Sequence, residues 1–147
     1  MICIGVDAGG TSTHVALSEN GAFARETRAA AANVTTIGVD AAAAIITAAM
    51  RELLAGARPN AISVGAAGAG RKTIADGLRE LIAAAFPQAR LSVGDDATIA
   101  LRAAIPQGDG AVLIAGTGSV AYAVHGERAE RRGGLGYLAG DEGSAFW

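Results

Sequence analysis

Ile4-Gly5-Val6-Asp7-Ala8-Gly9-Gly10-Thr11-Ser12-Thr13-His14-Val15-Ala16-Leu17 is the stretch on which the fold turns. Apolar, partly β-branched residues flank a glycine-threonine turn, and Glu19-Asn20-Gly21 closes the second run. That pattern reads as two strands of a hairpin, with a third strand over about residues 22–27. Asp7 falls at the end of the first strand. The glycines after it let backbone N–H groups approach an anion, with the hydroxyls of Thr11, Ser12 and Thr13 alongside. This is the physical make-up of a phosphate cradle, although an ordinary hairpin loop accounts for the same string. Asp7 suits a hydrated Mg²⁺, which takes one or two carboxylates together with water and phosphate oxygens.

Downstream, strands and helices alternate. Residues 40–54 are alanine-rich with helical spacing of Ile45, Ala49, Glu52 and Leu53; Asp40 is the expected N-cap, and Gly56 with Pro59 is the stop. Residues 62–65 read as a short strand, 68–70 as a loop, 73–86 as a helix ended by Pro87, 90–93 as a strand and 97–104 as a helix. The order βββαβαβα describes an α/β lobe whose mixed sheet is expected to carry helices on both faces. Ligands of such sheets gather at the carboxyl ends of the strands.

The opening is then repeated. Residues 111–115 form an apolar run, Gly116-Thr117-Gly118-Ser119 a second glycine-hydroxyl turn, and a further apolar run to Val124 leads through His125-Gly126 into a polar strand ending at Arg132. Gly10-Thr11 falls on Gly116-Thr117 at an offset of 106, and Gly21 falls on Gly126 at 105. The expectation is two related lobes, residues 1–110 and the incomplete residues 111–147, the latter holding the first three strands and a helix start. Two matched turns could grip one polyphosphate from both sides.

Composition narrows the function further. A net charge of −2 over 147 residues leaves no basic field for nucleic acid or anionic lipid. The hydrophobic share of 51% and mean hydropathy of +0.34 come largely from alanine, and the longest uncharged stretch, 110–125, is interrupted by Gly-Thr-Gly-Ser. That is not a bilayer span. Met1 leads straight into a strand, with no basic region or cleavage site, which reads as cytoplasmic. Cys3 is the one cysteine, so an intrachain disulfide and a cysteine-built metal cage are excluded, and a place in the core is expected for it. His14 and His125 lie in strand contexts and read as structural.

Asp95-Asp96 follows a strand and opens a helix, where a carboxylate can accept a hydroxyl proton during phosphoryl transfer. Asp95 reads as cap or support and Asp96 as the reacting carboxylate, while simple N-capping explains either. Gly133-Gly134-Leu135-Gly136 and Gly140-Asp141-Glu142-Gly143-Ser144 suit turns or, with their acids, sugar hydroxyls. Arg71-Lys72 reads as a solvated helix start.

Together GVDAGGTSTHVAL, Asn33, SVGAAGAGR, VGDDA, VLIAGTGSVAYA and GGLGYLAGDEGSAFW resemble the N-acetylglucosamine kinase family and its BadF/BadG/BcrA-type ATPase relatives. These lie within the sugar kinase, heat-shock ATPase and actin superfamily. The resemblance runs from Ile4 to Trp147 and implies ribonuclease-H-like, actin-like ATPase lobes closing on ATP, Mg²⁺ and an amino sugar. It further implies Asp7 acting on the metal through water, Gly10, Thr11 and Ser12 on the ATP phosphates, and Gly116, Thr117 and Gly118 on phosphate and the sugar side of the cleft. Asp96 is then the base, and Asn33 and Asp141, with Asp96, hold the sugar. Leu135 departs from the tryptophan common there.

The leading expectation is an ATP-dependent kinase for an amino-sugar hydroxyl, with N-acetylglucosamine foremost. As it stands, the chain is expected to be weak or inactive and to dimerise or self-associate, with no nucleic-acid or membrane partner. The alternatives are an activator ATPase of the same fold, which needs cluster-binding cysteines, and a non-catalytic lobe or fragment.

Overall fold

The computed structural model describes residues 1–116, 118–134, 141 and 143–145. The chain forms two compact units, Met1–Asp96 and Ala97–Trp147. In the first, β1 (Ile2–Ala8), β2 (Ser12–Glu19) and β3 (Ala22–Ala30) are followed by α1 (Val34–Ile37), α2 (Val39–Leu54), β4 (Ala61–Ala66), α3 (Lys72–Ala85) and β5 (Arg90–Gly94). Then α4 (Asp96–Ala104) leads into β6 (Gly110–Ala115), β7 (Ser119–His125) and β8 (Arg128–Gly133).

The five-stranded sheet has the order β3-β2-β1-β4-β5. The meander β1–β2–β3 is antiparallel, while β4 and β5 run parallel to β1 because a helix precedes each of them. This is the mixed α/β sheet expected from the sequence, and β6–β7–β8 repeats the antiparallel meander.

Strand alternation decides where the core sits. Ile4, Val6 and Ala8 of β1, Val15 and Leu17 of β2, and Ile62 and Val64 of β4 are buried against Ile46 and Met50 of α2 and Leu78 and Ile82 of α3. Burial of each large side chain contributes roughly 1.5–3 kcal/mol. Both helices therefore share one face of the sheet. The opposite face carries Gly5, Asp7, Ser63, Arg90 and Ser92, all exposed. Cys3 belongs to this open face: the period of two that buries Ile4 and Val6 turns its half-buried thiol away from the core.

Helix ends needed more than propensity. Asp40 is not the N-cap of α2; Gly38 is, at φ 84°, and Asp40 lies in the first turn, where its charge favours the helix dipole. The one-turn α1 had no periodic signal. It exists because Asn33 caps it, Oδ1 accepting from Thr35 N at 3.0 Å and Thr35 Oγ1 at 2.7 Å.

Candidate functional site

In the Met1–Asp96 unit the candidate residues collect at the carboxyl ends of β1, β4 and β5. Asp7 is exposed near the end of β1, opposite His14 of β2 and beside Gly65 of β4. The chain then turns at residues 9–11, with Gly9 N donating to Ser12 O at 3.0 Å. A Cβ on Gly9 would lie 3.2 Å from that same oxygen, so a side chain there would loosen the turn. Gly10 and Thr11 are exposed, and half-buried Ser12 opens β2. Thr13 is fully buried and ties β2 to the end of β3 through Oγ1 to Ala30 O at 2.7 Å.

Three backbone bonds link this turn, the end of β1, the Asn33 loop and the loop after β4. Ala32 N donates to Gly9 O at 3.2 Å, Val34 N to Ala67 O at 3.0 Å and Ala67 N to Ala8 O at 2.8 Å. Asn33, between Ala32 and Val34, is thus held between the β1–β2 turn and the loop after β4. With Oδ1 spent on the α1 cap, its Nδ2 donor is the group open to a ligand oxygen. Gly68 lets α1 come this close: at φ 87°, a Cβ would meet Thr35 Cγ2 at 2.6 Å. Asp95, buried, and Asp96, half-buried and in the first turn of α4, follow β5.

The Ala97–Trp147 unit holds the second glycine turn. Gly116 N donates to Gly118 O at 2.9 Å; Thr117 lies outside the described residues, as do Leu135, Gly136, Gly140 and Glu142. Asp141 is buried, and its Oδ1 accepts from Ser119 N at 2.5 Å and Ser119 Oγ at 2.6 Å. Ser119 Oγ accepts from Gly143 N at 3.2 Å, and Ala145 N donates to Gly116 O at 2.6 Å. The segment 141–145 is therefore laced onto the 116–119 turn. Sequence reasoning did not single out Ser119, although it closes the quoted Gly-Thr-Gly-Ser.

Neither Arg71 nor Lys72 joins these loops by a side-chain bond among the described residues; Lys72 pairs with Asp76 on α3. His125 is tied to Asp109, Nδ1 to Oδ2 at 2.6 Å, while Asp109 Oδ1 accepts from Gly126 N at 2.7 Å, a turn clasp in keeping with its structural reading. An open cavity of about 380 Å³ lined by Cys3, Ala61 and Arg90 lies at the amino ends of the strands, away from the candidate residues. Among the described residues no three His, Cys, Asp or Glu side chains gather as metal ligands, and no helix is long and apolar enough to cross a membrane.

Residues 4–147 match the model of the BadF/BadG/BcrA/BcrD ATPase family. The chain belongs to that family. An N-acetylmuramic acid/N-acetylglucosamine kinase of Clostridium acetobutylicum is 38% identical over 88 residues, which cover 59% of this chain and 29% of that protein. Among solved structures, a candidate N-acetylglucosamine kinase of Chromobacterium violaceum is 26% identical at a TM-score of 0.80, over 95% of this chain and 51% of that one. A candidate N-acetylglucosamine kinase of Porphyromonas gingivalis shares the fold at 24% identity and a TM-score of 0.75, over 98% and 51%. This family member thus spans about half the length of those solved structures.

Proposed function

We propose that this chain serves the ATP-dependent transfer of a phosphoryl group to a hydroxyl of an amino sugar, N-acetylglucosamine foremost, in the cytoplasm. The observation that carries the reading is the bonding of the Asn33 loop to both the Gly9 turn and Ala67. It holds a side-chain donor beside a phosphate-type turn, at the same carboxyl end of the sheet at which Asp95-Asp96 follow β5.

In this mechanism the backbone of Gly10, Thr11 and Ser12, with that of Gly116, Thr117 and Gly118, receives the ATP phosphates. Asp7 suits the metal because it is an exposed carboxylate beside the turn, a donor set that Mg²⁺ completes with water and phosphate oxygens. When bound, Mg²⁺ would neutralise charge on the phosphate oxygens. Asn33 and Asp141 orient the sugar, Asn33 donating from Nδ2 and Asp141 accepting at Oδ2. Asp96 accepts the proton of the attacking hydroxyl as its oxygen bonds to the γ-phosphorus. The bond from that phosphorus to the β–γ bridging oxygen breaks, and ADP leaves. Positioning and charge neutralisation supply most of the acceleration. The chain is also read as self-associating, with no nucleic-acid partner.

ADP release from ATP–Mg²⁺, measured with and without N-acetylglucosamine, tests the proposal. Sugar-dependent release supports it. Release indifferent to amino sugars points instead to an ATPase, and no release at all, with no binding of either ligand, leaves a non-catalytic domain.

A further inference from the structure

The 116–119 turn is short and exposed at Gly116 and Gly118, and among the described residues it is closed on itself by the backbone bond from Gly116 N to Gly118 O at 2.9 Å. A glycine turn of this kind has many conformations open to it, and an anion meets aligned N–H groups only when one of them is imposed. The imposition here comes from outside the turn. Asp141 Oδ1 takes both the amide and the hydroxyl of Ser119, and the same hydroxyl oxygen receives Gly143 N. On the other flank Ala145 N reaches Gly116 O at 2.6 Å. The two ends of the turn are thus pinned by Asp141, Gly143 and Ala145.

The fit is close. A Cβ on Gly143 would lie 3.1 Å from Ser119 Cβ, and one on Gly118 would lie 3.4 Å from Asp141 Oδ2. The neighbouring Ser144 makes no comparable tie, its buried Oγ having no hydrogen-bond partner among the described residues. Among the described residues the Ser119 hydroxyl is the side chain that links the carboxylate to the backbone of Gly143, donating to one and accepting from the other.

We propose that Ser119 is a positioning residue: its hydroxyl, held by Asp141 Oδ1 and holding the Gly143 amide, locks the 116–119 turn in the shape that receives the nucleotide phosphates. Ser119 acts on nucleotide use through the turn, and on the sugar only through its bond to Asp141, which the Ser119 amide still holds when the hydroxyl is removed. This rests on the kinase reading above.

The test compares the full chain with its Ser119→Ala and Ser119→Thr variants. In Ser119→Ala the KM for ATP–Mg²⁺ is expected to rise about tenfold or more and the KM for N-acetylglucosamine by a smaller factor, because Asp141 keeps its bond from the Ser119 amide. Ser119→Thr, which keeps the hydroxyl, is expected to restore the nucleotide KM. In parallel, amide exchange by NMR is expected to quicken at Gly143 in Ser119→Ala but not in Ser119→Thr, with the amides of β7 from Ala121 onward unchanged. An unaltered nucleotide KM, a rise confined to the sugar KM, or an unaltered Gly143 exchange rate overturns the proposal. A wild-type chain that neither turns over nor binds ATP–Mg²⁺ overturns the kinase reading instead, and Gly143 exchange then decides alone whether the hydroxyl locks the turn.

Discussion

Asp96 begins α4 directly after β5, so its carboxylate sits at a strand's carboxyl end and in a helix first turn together. If it accepts the hydroxyl proton, Asp96→Asn should lower sugar-dependent turnover by on the order of 10²- to 10⁴-fold with little change in sugar affinity, since a base acts in the transition state. Turnover within threefold of wild type would sink the assignment. Gly68 makes a different demand. Its positive φ and the 2.6 Å approach of Thr35 Cγ2 leave no room for a methyl group, so Gly68→Ala should cost roughly 1–3 kcal/mol in urea unfolding. A midpoint equal to wild type would mean that α1 gives way freely. Asp7 and Asp95-Asp96 could be singled out in the sequence because strand ends and glycine punctuation are local signals, whereas Asn33 came only from the family resemblance. Gly68 against Thr35 and Ser119 against Asp141 could not be, because each pair lies far apart in sequence and meets only through the fold.

At the scale of elements, periodicity located the long segments within a residue or two, as with α3, expected over 73–86 and found over Lys72–Ala85. What it could not supply was the cap of α2, set by the φ of Gly38, or α1, whose four residues are too few to show a period. The face of Cys3 follows from alternation once Ile4 and Val6 are known to face α2, a fact of packing that β1 alone does not carry. On α3 itself, Asp76 bonds to Lys72 at i−4 and Arg79 at i+3, and these partners hold its carboxyl below the usual range, the Lys72 hydrogen bond first among them. A carboxyl lowered in the folded state contributes stability above the unfolded value and loses it as pH falls through the folded one. Asp76→Asn should therefore lower the urea midpoint slightly at pH 7, these side chains being largely exposed, and the gap from wild type should close in acid, once pH has fallen through the lowered folded value. A gap that persists there would show that the charge contributes nothing.

Across the whole molecule, the two units differ in how well they bury apolar surface. The five-stranded sheet of Met1–Asp96 carries two helices on one face, whereas β6–β7–β8 leaves Ala111, Leu113 and Ala115 of β6 and Ala121 and Ala123 of β7 exposed. Register places Ala111 opposite Ala123 and Leu113 opposite Ala121, so these side chains share one face of the meander, with Leu113 75% exposed at its centre. The outer backbones of β6 and β8 are also unpaired in this sheet. An apolar face between free strand edges tends to be covered by another surface. With a net charge of only −2, long-range repulsion between copies is weak. The chain should accordingly self-associate through this face: its average mass by light scattering should rise above 14.5 kDa with concentration in the micromolar range. Leu113→Glu puts a carboxylate at the centre of the contact and should return the mass to that of the monomer, while Leu81→Glu, at the exposed Leu81 of α3 in the other unit, should not. A wild-type chain that stays monomeric at every concentration, or a Leu113→Glu variant that associates as before, would mean that this face is not where copies meet.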